Sequence, residues 1–378
     1  MNMAIEPLRH LAPTSAPVPH RAEPPATPTV QIDPARIREL TARESERLDA
    51  RTQGSAAAYE RAKRSLVGGV SSSYQKRAPW PIYLDRGQGQ YVWDVDGRQY
   101  LDVHNGIGSM VQGHTHPLIT EAVDRRIRLG SHFAAPTEDT YIVAEHLAAR
   151  WGLPRWRFVN SGSEATMDAI RLARGATGRD GVMKIFGSYH GHHDYVMVDI
   201  GLSVYDGKDR ENYPSIAYGK GIPDSVTQMT TAVPFNDAGV LERRLTSLQS
   251  EGKLPACLIM EAAMMNCGVI LPEPGYLADV RRITKKFGVV WIVDEVKTGL
   301  TVAAGGATEL FGIKPDLVCL AKALGAGIPT GAIGGSDEMW SMVDSGEVYM
   351  VGTFNGNPLA MAAARANLER VMTPDAYT

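Results

Sequence analysis

From about residue 116 onward, short apolar runs alternate with longer segments of helical pattern. The runs are Arg157-Phe-Val-Asn160, Val182-Met-Lys-Ile-Phe186, Ala256-Cys-Leu-Ile-Met-Glu261, Val289-Val-Trp-Ile-Val-Asp294 and Leu317-Val-Cys-Leu320. Such alternation predicts an α/β fold, a mostly parallel sheet with helices on both faces. In sheets of that kind ligands bind outside the carboxyl ends of the strands. Upstream the pattern changes. Pro34 to Leu66 reads as two charged helical pieces parted at Gly54-Ser55, and Tyr91–Asp94 and Arg98–Val103 flank Asp96-Gly97, a hairpin signature. Residues 1–33 are rich in Pro and Ala and predict a disordered tail. The expected division is a tail over 1–33, helices and a hairpin over 34–112, a large domain over 113–372, and the start of a further domain over 373–378. No internal repeat interrupts this plan.

Composition narrows the function. With 378 residues, 44% apolar and 21% charged, the chain can bury a sizeable core. A net charge of −3 gives no basic field, which argues against nucleic acid or an anionic membrane as partner and leaves small molecules as the expected ligands. No window approaches the roughly 18 apolar residues of a membrane span, and the first residues lack the apolar core of a secretory signal. Cys257, Cys267 and Cys319 form no CxxC pair, which fits a reducing cytoplasm.

Candidate chemistry gathers just after the strands. Pro315-Asp-Leu-Val-Cys-Leu-Ala-Lys322-Ala-Leu-Gly drives an apolar strand into a lysine and a glycine-rich turn. A desolvated lysine loses its charge readily and attacks carbonyls, as Schiff-base enzymes that use pyridoxal phosphate require; a strand ending in lysine is also an ordinary solvated tip. Asn160-Ser161-Gly162-Ser163-Glu164 opens a helical run, so it is either a phosphate cradle or a plain N-cap. Asp294 closes the most apolar run, where a carboxylate needs a cationic partner such as a pyridinium nitrogen. Tyr189-His190-Gly-His192-His193 offers an aromatic face, and its spacing matches no metal-ligand motif.

Together with Trp93-Asp-Val-Asp-Gly, Gly113-His-Thr-His-Pro117, Asp294-Glu-Val and Gly352-Thr-Phe-Asn-Gly-Asn-Pro358, these segments make the chain resemble the class III pyridoxal phosphate-dependent aminotransferases, and within them the glutamate-1-semialdehyde aminomutase branch. The resemblance runs from about Tyr59 to Met372 and implies a fold-type-I transferase. It implies that Lys322 carries the cofactor as a Schiff base and moves the proton. Ser161, Gly162 and Ser163 hold the phosphate, Tyr189 covers the ring with His190 beside it, Asp294 pairs with the ring nitrogen above Val296, and Glu261 and Asn266 line the cofactor. Thr353 reaches a neighbouring subunit's phosphate, which implies a homodimer. On the substrate side, Gln75 stands where the branch has a carboxylate-binding arginine, and Gly106-Ile107-Gly108 replaces an aromatic wall. Ala262 and Lys297 also depart from the pattern, and the chain stops where the family continues into a small C-terminal domain. The expected reaction is transamination between an amino acid or amine and a keto or aldehyde acceptor. The alternatives are an intramolecular aminomutase, a racemase of the same fold, and a truncated cofactor-binding protein without turnover.

Overall fold

The computed structural model describes residues 33–200 and 212–378. The tail expected over 1–33 lies outside the described residues except for Asp33, whose carboxylate accepts the Ala35 amide at 2.8 Å and caps the first helix. Two compact units divide after Tyr83.

The first unit contains helices Pro34–Arg51 and Gln53–Ala62. Two helical pieces were expected, but the break is at Thr52 rather than Gly54-Ser55. Thr52 leaves helical geometry, its hydroxyl donates to the Leu48 carbonyl at 2.9 Å, and it accepts the Trp80 indole N–H at 3.0 Å. A side chain that competes for local backbone groups ends a helix more decisively than a tolerated glycine.

The second unit opens with a three-stranded antiparallel sheet, β1 (Leu84–Gln88), β2 (Tyr91–Asp94) and β3 (Gln99–Leu101). The hairpin at Asp96-Gly97 is present. Its lock is Asp94, which accepts the amides of Asp96 and Arg98 and the Tyr100 hydroxyl, while Gly97 takes φ +80°. The charged, exposed β1 carried no apolar signal in the sequence.

Seven strands form the main sheet: β4 (Arg155–Val159), β5 (Val182–Ile185), β6 (Thr230–Val233), β7 (Cys257–Met260), β8 (Val290–Asp294), β9 (Leu317–Leu320) and β10 (Gly331–Gly335), in the order β4-β10-β9-β8-β7-β5-β6. All pairings are parallel except those of β10, which runs against both neighbours. The mostly parallel α/β sheet is therefore confirmed, with two strands the sequence did not betray. β10 is glycine-rich because side chains would not fit: a Cβ on Gly334 would lie 2.5 Å from the Trp156 ring.

Alternation along β8 shows the layering. Val290 and Ile292 enter a core with Ala165, Ala169 and Ala173 of helix Gly162–Thr177, whereas Trp291 and Val293 enter another with Leu241, Val280 and Ile283 from helices Ala238–Ser250 and Tyr276–Phe287. Both faces are thus covered.

The residue after β8 fixes the next connection. Glu295 is 0% exposed, and its carboxylate accepts the amides of Thr308 (2.7 Å) and Ala307 (2.8 Å), the Thr298 hydroxyl (2.5 Å) and the Trp151 indole N–H (3.3 Å). The charge is satisfied at the start of helix Gly306–Leu310. Glu295→Ala strands these buried donors, and we expect it to cost about 3 kcal/mol or more, read as a lower urea midpoint; Glu295→Gln, which keeps part of the acceptor set, should fall between.

Candidate active site

The carboxyl ends of β4, β5, β7, β8 and β9 share one edge of the sheet, and Ser161 to Ser163, Tyr189, His190, Glu261, Asn266, Asp294, Val296 and Lys322 lie at or after those ends. Lys322 begins the tight turn after β9 and holds φ +48°, a left-handed conformation that a lysine adopts only under constraint. The constraint comes from beneath: the Asn367 amide donates to the carbonyls of Ala323 (2.8 Å) and Leu324 (3.3 Å). Burial lowers the Lys322 pKa; Asp294 opposes the shift, Lys297 reinforces it, and Glu261 opposes it.

Asp294 ends β8, buried. One oxygen accepts the Val296 amide at 2.9 Å, and the other lies 2.7 Å from His190 Nδ1. Burial pulls the His190 pKa down against the pull of Asp294. A neutral ring therefore places its Nδ1–H on the carboxylate, and Nε2 is left buried with no partner among the described residues. His190 thus contacts Asp294.

Ser161 caps helix Gly162–Thr177, its hydroxyl accepting the Glu164 amide at 3.2 Å. The amides of Gly162 and Ser163 donate to no group among the described residues, so the cap and an anion cradle coexist. Gly162 lies against Val296: a Cβ there would sit 2.8 Å from the valine Cγ1. The Ser163 hydroxyl accepts the His192 amide at 3.2 Å, and Gly191 packs so closely on Ser163 that a Cβ would meet its Cα at 2.8 Å. Those two contacts bring the loop after β5 against the helix N-terminus.

Tyr189 is 40% exposed; burial, then the charge of Asp294, raises its phenol pKa. Glu261 follows β7 with its carboxyl pushed up to about 8 by burial and then by Asp294, and it accepts the Met265 amide at 3.3 Å. Asn266 accepts the Lys297 ammonium at 2.8 Å. The structure thus brings together Lys322, Asp294, His190, Glu261 and Lys297, and joins Gly162 to Val296. Thr353 lies on an exposed turn and Ile107 on a left-handed one (φ +59°) between Gly106 and Gly108; no hydrogen bond among the described residues ties either to the others. Gln75 belongs to the first unit, where its side-chain oxygen accepts the amides of Ser71 and Ser72, both at 3.1 Å, and caps its own turn. Sequence reasoning missed the His190–Asp294 bond and Asn367. An Asp–His contact across 104 residues leaves no local signal, and the π-helix that Asn367 opens, Asn367–Val371, follows an alanine-rich helical sequence that does not mark it. Among the described residues, no group of three or more His, Cys, Asp or Glu is placed to hold a metal ion.

Known proteins resemble this chain in sequence and fold. The family described as aminotransferase class-III matches residues 72–377. A glutamate-1-semialdehyde 2,1-aminomutase of Methanocaldococcus jannaschii is 42% identical over 315 residues, 83% of this chain and 72% of that protein. Among solved structures, an omega-transaminase from Sphaerobacter thermophilus matches with a TM-score of 0.78 at 35% identity, over 85% of this chain and 73% of that one. A glutamate-1-semialdehyde-aminomutase from Pseudomonas aeruginosa matches with a TM-score of 0.81 at 30% identity, over 92% of this chain and 76% of that one. With the family's pattern spanning most of its length on this sheet and this edge, the chain belongs to the class III aminotransferases.

Proposed function

We propose that the chain is a pyridoxal phosphate-dependent aminotransferase acting on an amino acid or amine and a keto or aldehyde acceptor. One observation carries the reading: a partly buried lysine opens the turn after β9 and a buried carboxylate ends the adjacent β8, beside a helix N-terminus with unspent amides. The donor set fits the cofactor group by group. Lys322 would hold it covalently, Asp294 would face the ring nitrogen, Val296 and Tyr189 would meet the ring, and the amides of Gly162 and Ser163 with the flanking serine hydroxyls would take the phosphate. Pyridoxal phosphate, when bound, supplies a carbonyl for amine exchange and a cationic ring that withdraws electrons from the carbon bearing the amine.

The chain's own residues supply the proton handling. Lys322 Nζ, its pKa lowered by burial, gives up its proton more readily than an exposed lysine and would be the group that moves the proton. His190 orients Asp294 without neutralising it. Glu261, with its pKa at about 8, is mainly a neutral acid at pH 7 and adds little to the negative charge of Asp294. A homodimer also belongs to the proposal. Tyr349, Val351 and Phe354 are exposed around Thr353, apolar surface that a second copy would cover while Thr353 approached its site. No helix of the described residues is long and apolar enough to cross a membrane. The cytoplasm, whose reducing conditions suit the free Cys257, Cys267 and Cys319, is the compartment we propose.

An aminomutase is the second reading, favoured by the relative from Methanocaldococcus jannaschii. The two share the cofactor residues and differ in whether an external keto acid is needed to complete a cycle.

The visible spectrum of the purified chain with added pyridoxal phosphate tests the proposal. We expect a band that Lys322→Ala lacks and that an amino donor bleaches; a chain without any Lys322-dependent band refutes it. Return of the band on adding a keto acid marks a transaminase, whereas turnover of glutamate 1-semialdehyde with no added acceptor marks an aminomutase.

Glu261 gives a further expectation. Its folded pKa is raised, so its contribution to stability is fully present below about pH 4.5, its ordinary value, and is lost as pH rises through about 8. Thermal melts at pH 5 and pH 8.5 should show wild type losing more stability over that interval than Glu261→Gln. Parallel losses would place the proton elsewhere.

A further inference from the structure

One strand of the main sheet carries a charge into its interior. Lys184 in β5 is 0% exposed, flanked by the equally buried Met183 and Ile185. Among the described residues, no carboxylate bonds it directly. Its ammonium donates to two backbone carbonyls, Ser188 at 2.8 Å and Val198 at 2.6 Å. A methionine would fill similar space without the cost of burying a charge. What methionine lacks is a donor able to hold both carbonyls.

Those carbonyls sit at the two ends of the loop that follows β5. Between them lie Tyr189 and His190, the residues proposed above to meet the cofactor ring and to orient Asp294. Other bonds close the same loop: the Gly187 amide donates to the Asp199 carbonyl at 2.8 Å, the Ser188 hydroxyl to the Ile185 carbonyl at 2.6 Å, and the Thr166 hydroxyl to the His190 carbonyl at 2.6 Å. The Lys184 tie is the one that grips Ser188 and Val198 through a single group. The charged and titratable groups acting on Lys184 are Asp199, whose carboxylate accepts the Ile216 amide at 2.9 Å, and Cys267, whose thiol donates to the Gly187 carbonyl at 3.2 Å. Lys184 in turn helps to keep His190 uncharged.

We propose that Lys184 is a positioning residue whose buried ammonium joins Ser188 to Val198 and thereby sets the loop that presents Tyr189 to the cofactor and His190 to Asp294. The role rests on the reading that the Lys322 cleft holds pyridoxal phosphate.

Hydrogen exchange on the cofactor-free protein and titration with pyridoxal phosphate test it, using wild type, Lys184→Met and Lys184→Gln. Loss of two bonds from a charged donor should speed amide exchange across Gly187–Asp199 by about tenfold or more and weaken cofactor affinity by a similar factor. Exchange in helix Tyr276–Phe287 should stay unchanged. The visible circular dichroism of the bound cofactor should also fall, because Tyr189 no longer fixes the ring's orientation. A folded variant with loop exchange and affinity both within about twofold of wild type overturns the proposal. Acceleration spread evenly over the sheet, or failure of both variants to fold, also overturns it by making Lys184 a residue of the fold. Wild type that binds no pyridoxal phosphate refutes the functional reading, and the loop exchange of the cofactor-free protein still judges the tie.

Discussion

The charge on Asp294 organises the cleft. It helps to raise the pKa values of Tyr189 and Glu261, opposes the fall that burial imposes on His190 and Lys322, and reaches Cys319 in the strand next door. In a buried site a carboxylate left without a cation is costly. Here it is held by hydrogen bonds from a neutral imidazole and a backbone amide, which satisfy the oxygens and leave the charge intact. The cleft therefore keeps a net demand for positive charge at the end of β8, and a protonated ring nitrogen is a group that answers it. Lys322 feels the same charge, but burial outweighs it and lowers the lysine's pKa.

The adjacent carboxylate shows how one dipeptide divides structure from function. Successive residues at a strand end project to opposite sides. Asp294 turns toward the cleft, where its partners are few. Glu295 turns away, and four donors from three segments consume its oxygens. Both are acidic and both are buried. The difference is the count and origin of the donors, and that count is invisible in Asp-Glu-Val as written. The apolar strand before the pair was legible; the division of labour within it was not, because the donors to Glu295 come from Trp151 and from the start of helix Gly306–Leu310.

The same limit explains the rest of what could be read. Strands β5, β7, β8 and β9 announced themselves because burial on both faces demands continuous apolar residues. β10 stayed hidden because Trp156 and Trp340 lie where its side chains would stand, so it is built from glycines that ordinarily mark turns. At the site, residues recognised by a local pattern, Ser161 to Ser163, Asp294 and Lys322, were found at the edge where the topology puts them. Interactions that join distant segments, such as His190 with Asp294 or Asn367 with the Lys322 turn, required the fold.

Two lysines make the final point. Lys184 and Lys322 both follow apolar residues in or after a parallel strand, and burial lowers both pKa values. A depressed pKa therefore does not separate a reactive amine from a structural one. Their hydrogen bonds do. The Lys184 ammonium is bound by two carbonyls that orient its N–H groups and keep them occupied. Lys322 Nζ makes no hydrogen bond to the described residues, and its backbone is held in a left-handed turn by an amide on another helix, Asn367. The proposed nucleophile needs an amine uncommitted to other acceptors and a backbone that cannot relax away, and Lys322 Nζ, without a hydrogen bond to the described residues and on a turn tied by Asn367, meets both needs. A tie needs donors committed to fixed acceptors, and that is the state of Lys184.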